Sequence, residues 1–268
     1  MRWEVSAAMI TMHGKSLSGG IAMGNLSFFK RKAVTPSLRR VDDTEAEAER
    51  FRQARDAAAA QLERLCIRAE GKVGREDAAI FRIHLMLLSD RDYVDSAIAM
   101  IRSFDMNAEY SVKVTCENFA NMLRMIDDPY MQGRAADIKD VSDRVIRILS
   151  GVSDKVECPE KPSIMVADEF FPSEVIELGM NGALGFLSAE GSSTSHASIL
   201  SRNMQLPSVI TSGKMPKKEN DGKSAVIDGF TGTVYVDPDE STKHRMNYRI
   251  ENIHSVNRLA VPEGVRVG

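Results

Sequence analysis

Between residues 42 and 150, apolar side chains return every three or four positions. On either side they come in short runs broken by Gly, Pro and Ser. The first pattern is that of amphipathic helices and the second that of strands. Thr44-Glu45-Ala46-Glu47 has the form of a capping box. A helical stripe of Phe51, Ala54, Ala58, Leu62, Leu65 and Ala69 follows, stopped by Gly71 and Gly74. Further helices are expected from about Glu76 to Leu88 and from Arg91 to Phe104. A fourth, capped by Asn107, carries a stripe of Ala108, Val112, Thr115, Phe119, Met122 and Ile126. A fifth opens on Pro129, with Ala135, Ile138, Val141, Val145 and Ile148 inward. The short connections predict an antiparallel bundle.

Strands are expected at Gly20–Phe29, Ser163–Ala167, Ala183–Leu187 and Ser208–Thr211. Ala225–Asp228 and Thr233–Asp237 flank Gly229-Phe230-Thr231-Gly232, a hairpin signal. Helical turns fit after Pro172 and Thr194, and a polar helix over 241–259. The expected fold class is therefore α/β with an inserted antiparallel helical bundle. Residues 1–41 and 151–240 form the discontinuous α/β part, 42–150 the bundle, and 241–268 a linker helix. The terminal Val-Pro-Glu-Gly-Val-Arg-Val-Gly reads as the start of another strand, as in a cut piece of a larger protein.

Composition removes several classes of function. A net charge of −3 and 6% aromatic residues give neither the basic stripe nor the stacking surface of a nucleic-acid binder. Hydrophobic residues at 43% suffice for a buried core. Cys66, Cys116 and Cys158 are widely spaced and odd in number, which speaks against disulfides or zinc and for a cytoplasmic location. The apolar patch Val5–Met12 follows Glu4 and does not read as a signal peptide. No stretch is long enough for a membrane span, and no P-loop or Rossmann glycine pattern is present.

The stretch richest in chemistry is Gly191-Ser192-Ser193-Thr194-Ser195-His196, followed by Ala197-Ser198-Ile199-Leu200-Ser201-Arg202. Hydroxyl residues precede a histidine that falls in the first turn of a helix. Free backbone N–H groups and the positive helix end suit a phosphate there. The same positive end disfavours an imidazolium and so favours a nucleophilic ring. Spacing alone equally allows Thr194 to be a plain helix cap and His196 a surface residue. His13, His244 and His254 have no comparable context, and no metal site is expected.

This stretch resembles the swivelling phosphohistidine domain shared by enzyme I, pyruvate phosphate dikinase and phosphoenolpyruvate synthase. Thr194-Ser195-His196, Arg202 and Leu206-Pro207 match that motif. The insertion points to enzyme I of the phosphoenolpyruvate-dependent sugar phosphotransferase system. His84-Leu85-Met86-Leu87-Leu88-Ser89-Asp90 resembles its His-x-Met-Leu-Leu-x-Asp, and Arg134-Ala135-Ala136-Asp137-Ile138-Lys139-Asp140 its Arg-Ala-Ala-Asp segment. Pro172-Ser173-Glu174 resembles its Pro-Ser-Glu. The resemblance covers nearly the whole chain. It implies transfer of a phosphoryl group from phosphoenolpyruvate, through a covalent phosphohistidine at His196, to the phosphocarrier HPr. Thr194 and Ser195 would position the phosphoryl oxygens, with Gly191, Ser192, Ser193, Val175 and Arg202 as pocket neighbours. His84, Asp90, Asp92 and Arg134 would lie on or near the HPr-docking face, although the helix pattern alone also allows His84 to be partly buried packing and Asp90 to be an N-cap. Phosphoenolpyruvate and magnesium would belong to a C-terminal barrel absent from this chain, which itself would need no cofactor. The fragment would be monomeric and the full-length enzyme a homodimer.

Three departures stand out. The usual Gly-Gly-Arg before Thr-Ser-His is here Gly191-Ser192-Ser193, which removes a cation. Thr after Pro-Ser-Glu is here Val175. Ser-Pro-Gly-Ile-Ala is here Ser18-Gly19-Gly20-Ile21-Ala22. They leave open an enzyme I-like domain of a regulatory or dihydroxyacetone relay, or a non-catalytic module that docks a phosphocarrier. The helical insertion disfavours a dikinase or synthase.

Overall fold

The computed structural model describes residues 9–31, 34–153, 155–213 and 215–259, with side chains to residue 253. The strand expected in the terminal residues lies outside the described residues.

The helical block is built on α1 (Thr44–Val73), a rod of 30 residues, about 45 Å long. Its expected stripe is buried throughout, from Phe51 to Ala69. The capping box does not form. Asp43 caps the helix by accepting from Ala46 N at 2.9 Å, so Glu47 falls one place beyond the box position. Glu47 instead accepts from Ala108 N at 2.6 Å and from Arg50, tying α1 to the start of α4 (Ala108–Met125). Gly74, at φ +88°, ends α1, whereas Gly71 stays within it. α2 (Ala79–Ser89) starts three residues later than expected, after a turn, and α3 (Arg91–Phe104) starts on the Asp90 cap. Asn107 holds the cap position of α4, but its side chain makes no capping bond. Its side chain bridges Arg39 N and Glu109. The α4 stripe also ends early, since Met122 and Ile126 are exposed. The single fifth helix is broken at Arg134 into α5 (Pro129–Gly133) and α6 (Ala135–Leu149).

The α/β part is one eight-stranded sheet in the order β1-β8-β7-β3-β4-β5-β6-β2. Its strands are β1 (Ile10–His13), β2 (Lys15–Ser18), β3 (Ile21–Phe28), β4 (Ser163–Ala167), β5 (Ala183–Ser188), β6 (Ser208–Ile210), β7 (Ser224–Asp228) and β8 (Thr233–Val236). β3 to β6 run parallel and the remaining pairings are antiparallel. The outermost strands, β1 and β2, are joined by Gly14 alone, so the sheet curls until its two ends meet in one segment. Gly14 N donates to Gly232 O at 2.8 Å, and a Cβ on Gly14 would overlap the Ile210 carbonyl. Neither β1 nor β2 was expected from the pattern, because both are short and mostly exposed.

Alternation sorts the strand side chains into two cores. Ile164, Val166, Leu187, Val209, Ile227 and Val234 pack inside the curl. Met165 and Phe186 face outward and join Val175, Ile176 and Leu200 in a core continuous with the bundle. The elements on that outer face are α7 (Pro172–Met180) and α8 (His196–Asn203); α9 (Glu240–Leu259) follows β8. Each large side chain so buried contributes about 1.5–3 kcal/mol. This shared core fixes the bundle against the sheet.

Candidate phosphoryl-transfer site

His196 is the first residue of α8. Ser195, not Thr194, is the cap: its Oγ accepts from Ser198 N and donates to Ser192 O at 2.9 Å. The first intrahelical bond is Ile199 N to Ser195 O, at 3.0 Å. The amides of His196 and Ala197 come before it, where a helix leaves N–H groups without intrahelical partners. Thr194 is exposed and its hydroxyl meets that of Ser192 at 2.8 Å. The positive φ of the turn falls on Gly191 (+141°), so Ser192 replaces a glycine without backbone strain. Arg202 donates to Leu17 O at 2.9 Å and to Ser193 O at 3.1 Å. It clamps the turn onto β2.

The histidine ring is held from the other side, by the bundle. His196 Nδ1 lies 3.0 Å from Oδ2 of Asp137, a buried residue in the first turn of α6. Nε2 has no hydrogen-bond partner among the described residues, and the His196 side chain is 16% exposed. Burial pushes the Asp137 carboxyl up, but the hydrogen bond from His196 and the close approach of His84 outweigh it and hold the group below its ordinary value. The ring borders a cavity of about 290 Å³ between bundle and sheet, whose wall includes Asp137, Lys139, Val175, Gly191 and Ser192. Val175 is buried and apolar, so Asp137 is the polar partner the ring finds. Tyr130 stands edge-on to the ring at 6.4 Å, and Arg134 lies over Tyr130 at 5.4 Å.

The Pro172-Ser173-Glu174 turn locks the two parts together. Ser173 donates from N and Oγ to Asp140, at 3.0 and 2.7 Å. Glu174 receives a forked pair from Arg31, at 2.6 and 2.8 Å, and the Phe171 N–H at 2.8 Å.

The expected docking residues do not stay together. His84 is fully buried and is corrected from a contact residue to a core residue: its ring packs on Phe81 and faces Asp137 and Asp140. Asp90 and Asp92 are exposed at the α2–α3 junction, where Asp90 also caps α3. Arg134 lies beside the His196 cavity through Tyr130. Asp137 and Asp140 had no role assigned, although both stood in the quoted segment. Their signal was two carboxylates three residues apart on the same face as Ile138 and Val141, where charge needs a buried partner. Among the described residues, no cluster of three metal-ligating side chains is placed to hold an ion, and no helix is long and apolar enough to cross a membrane.

The site is a histidine at a helix start, braced by an inserted helical bundle. Residues 13–134 match the family model of the PEP-utilising enzyme N-terminal domain, and 159–232 that of the PEP-utilising enzyme mobile domain. The chain is 33% identical to a phosphoenolpyruvate-protein phosphotransferase of Haemophilus influenzae, over 84% of this chain and 40% of the relative. It is 32% identical to that of Bacillus subtilis, over 87% of this chain and 41% of the relative. Among solved structures it resembles a solution structure of Enzyme I, with a TM-score of 0.70 and 29% identity over 91% of this chain and 99% of the other. The fold is also that of the N-terminal domain of Enzyme 1 - Nitrogen, with a TM-score of 0.56 and 24% identity over 90% and 99% of the two chains. The chain belongs to the PEP-utilising enzymes and corresponds to the N-terminal half of enzyme I. It spans about two fifths of the length of the curated relatives it matches.

Proposed function

We propose that His196 carries a phosphoryl group between a phosphoenolpyruvate-binding domain and an HPr-like phosphocarrier. The observation that carries this reading is the His196–Asp137 contact at the start of α8. Asp137 takes the Nδ1–H, which leaves the lone pair on Nε2. That nitrogen attacks phosphorus, the new N–P bond forms, and the bond from phosphorus to the donor breaks. The donor's leaving atom is the enol oxygen of phosphoenolpyruvate, or a phosphocarrier histidine nitrogen in the reverse direction. The proton stays on Nδ1, hydrogen-bonded to Asp137, so the ring need not lose it during attack. The amides of His196 and Ala197 and the Thr194 hydroxyl supply donors for the phosphoryl oxygens. Ser195 serves by capping the turn rather than by touching phosphate.

Residues 1–41 and 151–240 carry the histidine in this reading, residues 42–150 dock the phosphocarrier, and 241–268 lead toward the phosphoenolpyruvate-binding domain. Exposed Met122 and Met125 (88%) lie in the last turn of α4, and exposed Tyr130 lies under Arg134. Methionines at such density adapt to a partner surface. The test is incubation with phosphorylated HPr. The wild-type chain gains an acid-labile, base-stable phosphate and His196→Ala does not. Equal labelling of both would overturn the assignment.

A further inference from the structure

Asp137 is shared. Its Oδ2 meets His196 Nδ1 at 3.0 Å, and its Oδ1 lies 3.5 Å from Nε2 of His84. His84 is fully buried in the bundle core, edge-on to Phe81. Neither of its ring nitrogens makes a hydrogen bond in the structure, and Nδ1 stops 4.0 Å from Asp140 Oδ2. An imidazole buried this deeply is costly unless its polar atoms are engaged. The nearest acceptors are the two carboxylates of α6, and one of them holds the candidate phosphoryl acceptor.

We infer that His84 is a positioning residue for His196, acting through Asp137. A shift of about half an ångström brings Nε2–H of His84 into a hydrogen bond with Asp137 Oδ1. That bond fixes the rotation of a carboxylate that would otherwise turn about its last torsion, which is broad and soft. With Oδ1 occupied, Oδ2 is presented to His196 Nδ1. The His196 ring is then held as the Nδ1–H tautomer, with its lone pair on Nε2. Asp140 is held off by Ser173, whose N and Oγ donate to its two oxygens, and its Oδ2 stays 4.0 Å from His84 Nδ1. The arrangement also explains why a histidine in a bundle core is tolerated opposite two acids. The inference rests on His196 as the phosphoryl carrier, but its first readout does not need phosphate.

The imidazole ¹⁵N spectrum of the unphosphorylated chain reports both rings. In the wild type, His196 is expected as the Nδ1–H tautomer and His84 protonated at Nε2. His84→Leu should move His196 toward a mixture richer in Nε2–H and slow phosphoryl loading from phosphorylated HPr about tenfold, as loss of a supporting partner typically does. His84→Gln keeps an amide donor near the Nε2 position and should retain the wild-type tautomer and rate. A folded His84→Leu chain with unchanged tautomer and rate overturns the inference. So does His84→Gln failing as fully as His84→Leu, which is the mark of a packing role. Wild-type His84 bare at Nε2 overturns it even where His84→Leu does not fold. If wild-type chain takes no phosphate, the carrier reading fails, while the tautomer spectra still decide the role of His84.

Discussion

Replacing Asp137 with asparagine removes one charge at almost constant volume. The carboxylate is buried and 3.0 Å from His196 Nδ1, so the contact it loses is a charge-assisted hydrogen bond. Such bonds are worth about 1.5–3 kcal/mol. If that stabilisation is fully expressed when phosphorus is attacked, loading slows by about 10- to 150-fold, at 1.36 kcal/mol per factor of ten. Asparagine adds a second fault, since its NH₂ donates to Nδ1 and drives the ring proton to Nε2, the attacking nitrogen. Stability should change far less. The lost hydrogen bond is offset by the desolvation that a buried carboxylate no longer incurs. The melting temperature should stay within about 4 °C of wild type. The assay is single-turnover loading from phosphorylated HPr, with a thermal melt on the same preparation. A folded Asp137→Asn chain loading within about twofold of wild type refutes the reasoning, because a bond of this kind cannot be lost so cheaply.

Acid should weaken the fold partly through the same group. The folded Asp137 carboxyl sits below its ordinary value of 3.8, so its contribution is fully present above that pH and is lost as pH falls through the lower folded value. Melts from pH 6 downward should show an acid limb that Asp137→Asn makes shallower; an unchanged limb contradicts the assignment. Arg31→Met strands Glu174, whose carboxyl burial already pushes up against the pull of Arg31. It should cost about 3–5 kcal/mol in urea unfolding, the range for breaking a buried pair; a loss under about 1 kcal/mol would show the pair to be idle. Gly14→Ala drives a methyl into the Ile210 carbonyl where the sheet closes on itself. It should lower stability by about 3 kcal/mol, and a neutral result would mean that β1 and β2 are not joined as described.

The bundle was legible because each helix carries one apolar stripe, and Arg91–Phe104 was expected at the bounds it has. The errors lie where a polar side chain had two acceptable uses. Glu47 and Asn107 look like local caps in sequence, yet each satisfies a group from another segment. Helix α6 could not be separated from α5, because Arg134 and Gly133 break it without proline. β1 and β2 were missed because four residues are too few for alternation to stand out, and their pairing depends on partners some 200 residues away. That a helix begins at His196 was legible from its motif. The Asp137 contact was not, because it exists only once α6 is packed on α8. His84 was set on or near the docking face by the family resemblance; a histidine between Ile83 and Leu85 on an amphipathic helix also suits partial burial, and the carboxylates opposite it come together only in the fold.

Imidazole ¹⁵N spectra of the chain phosphorylated by HPr decide whether phosphoryl transfer uses Nε2 of His196 while Asp137 accepts from Nδ1–H. Expected is ³¹P coupling at His196 Nε2, with the proton retained on Nδ1. Phosphate on Nδ1, on another histidine, or absent from the chain would rule this mechanism out.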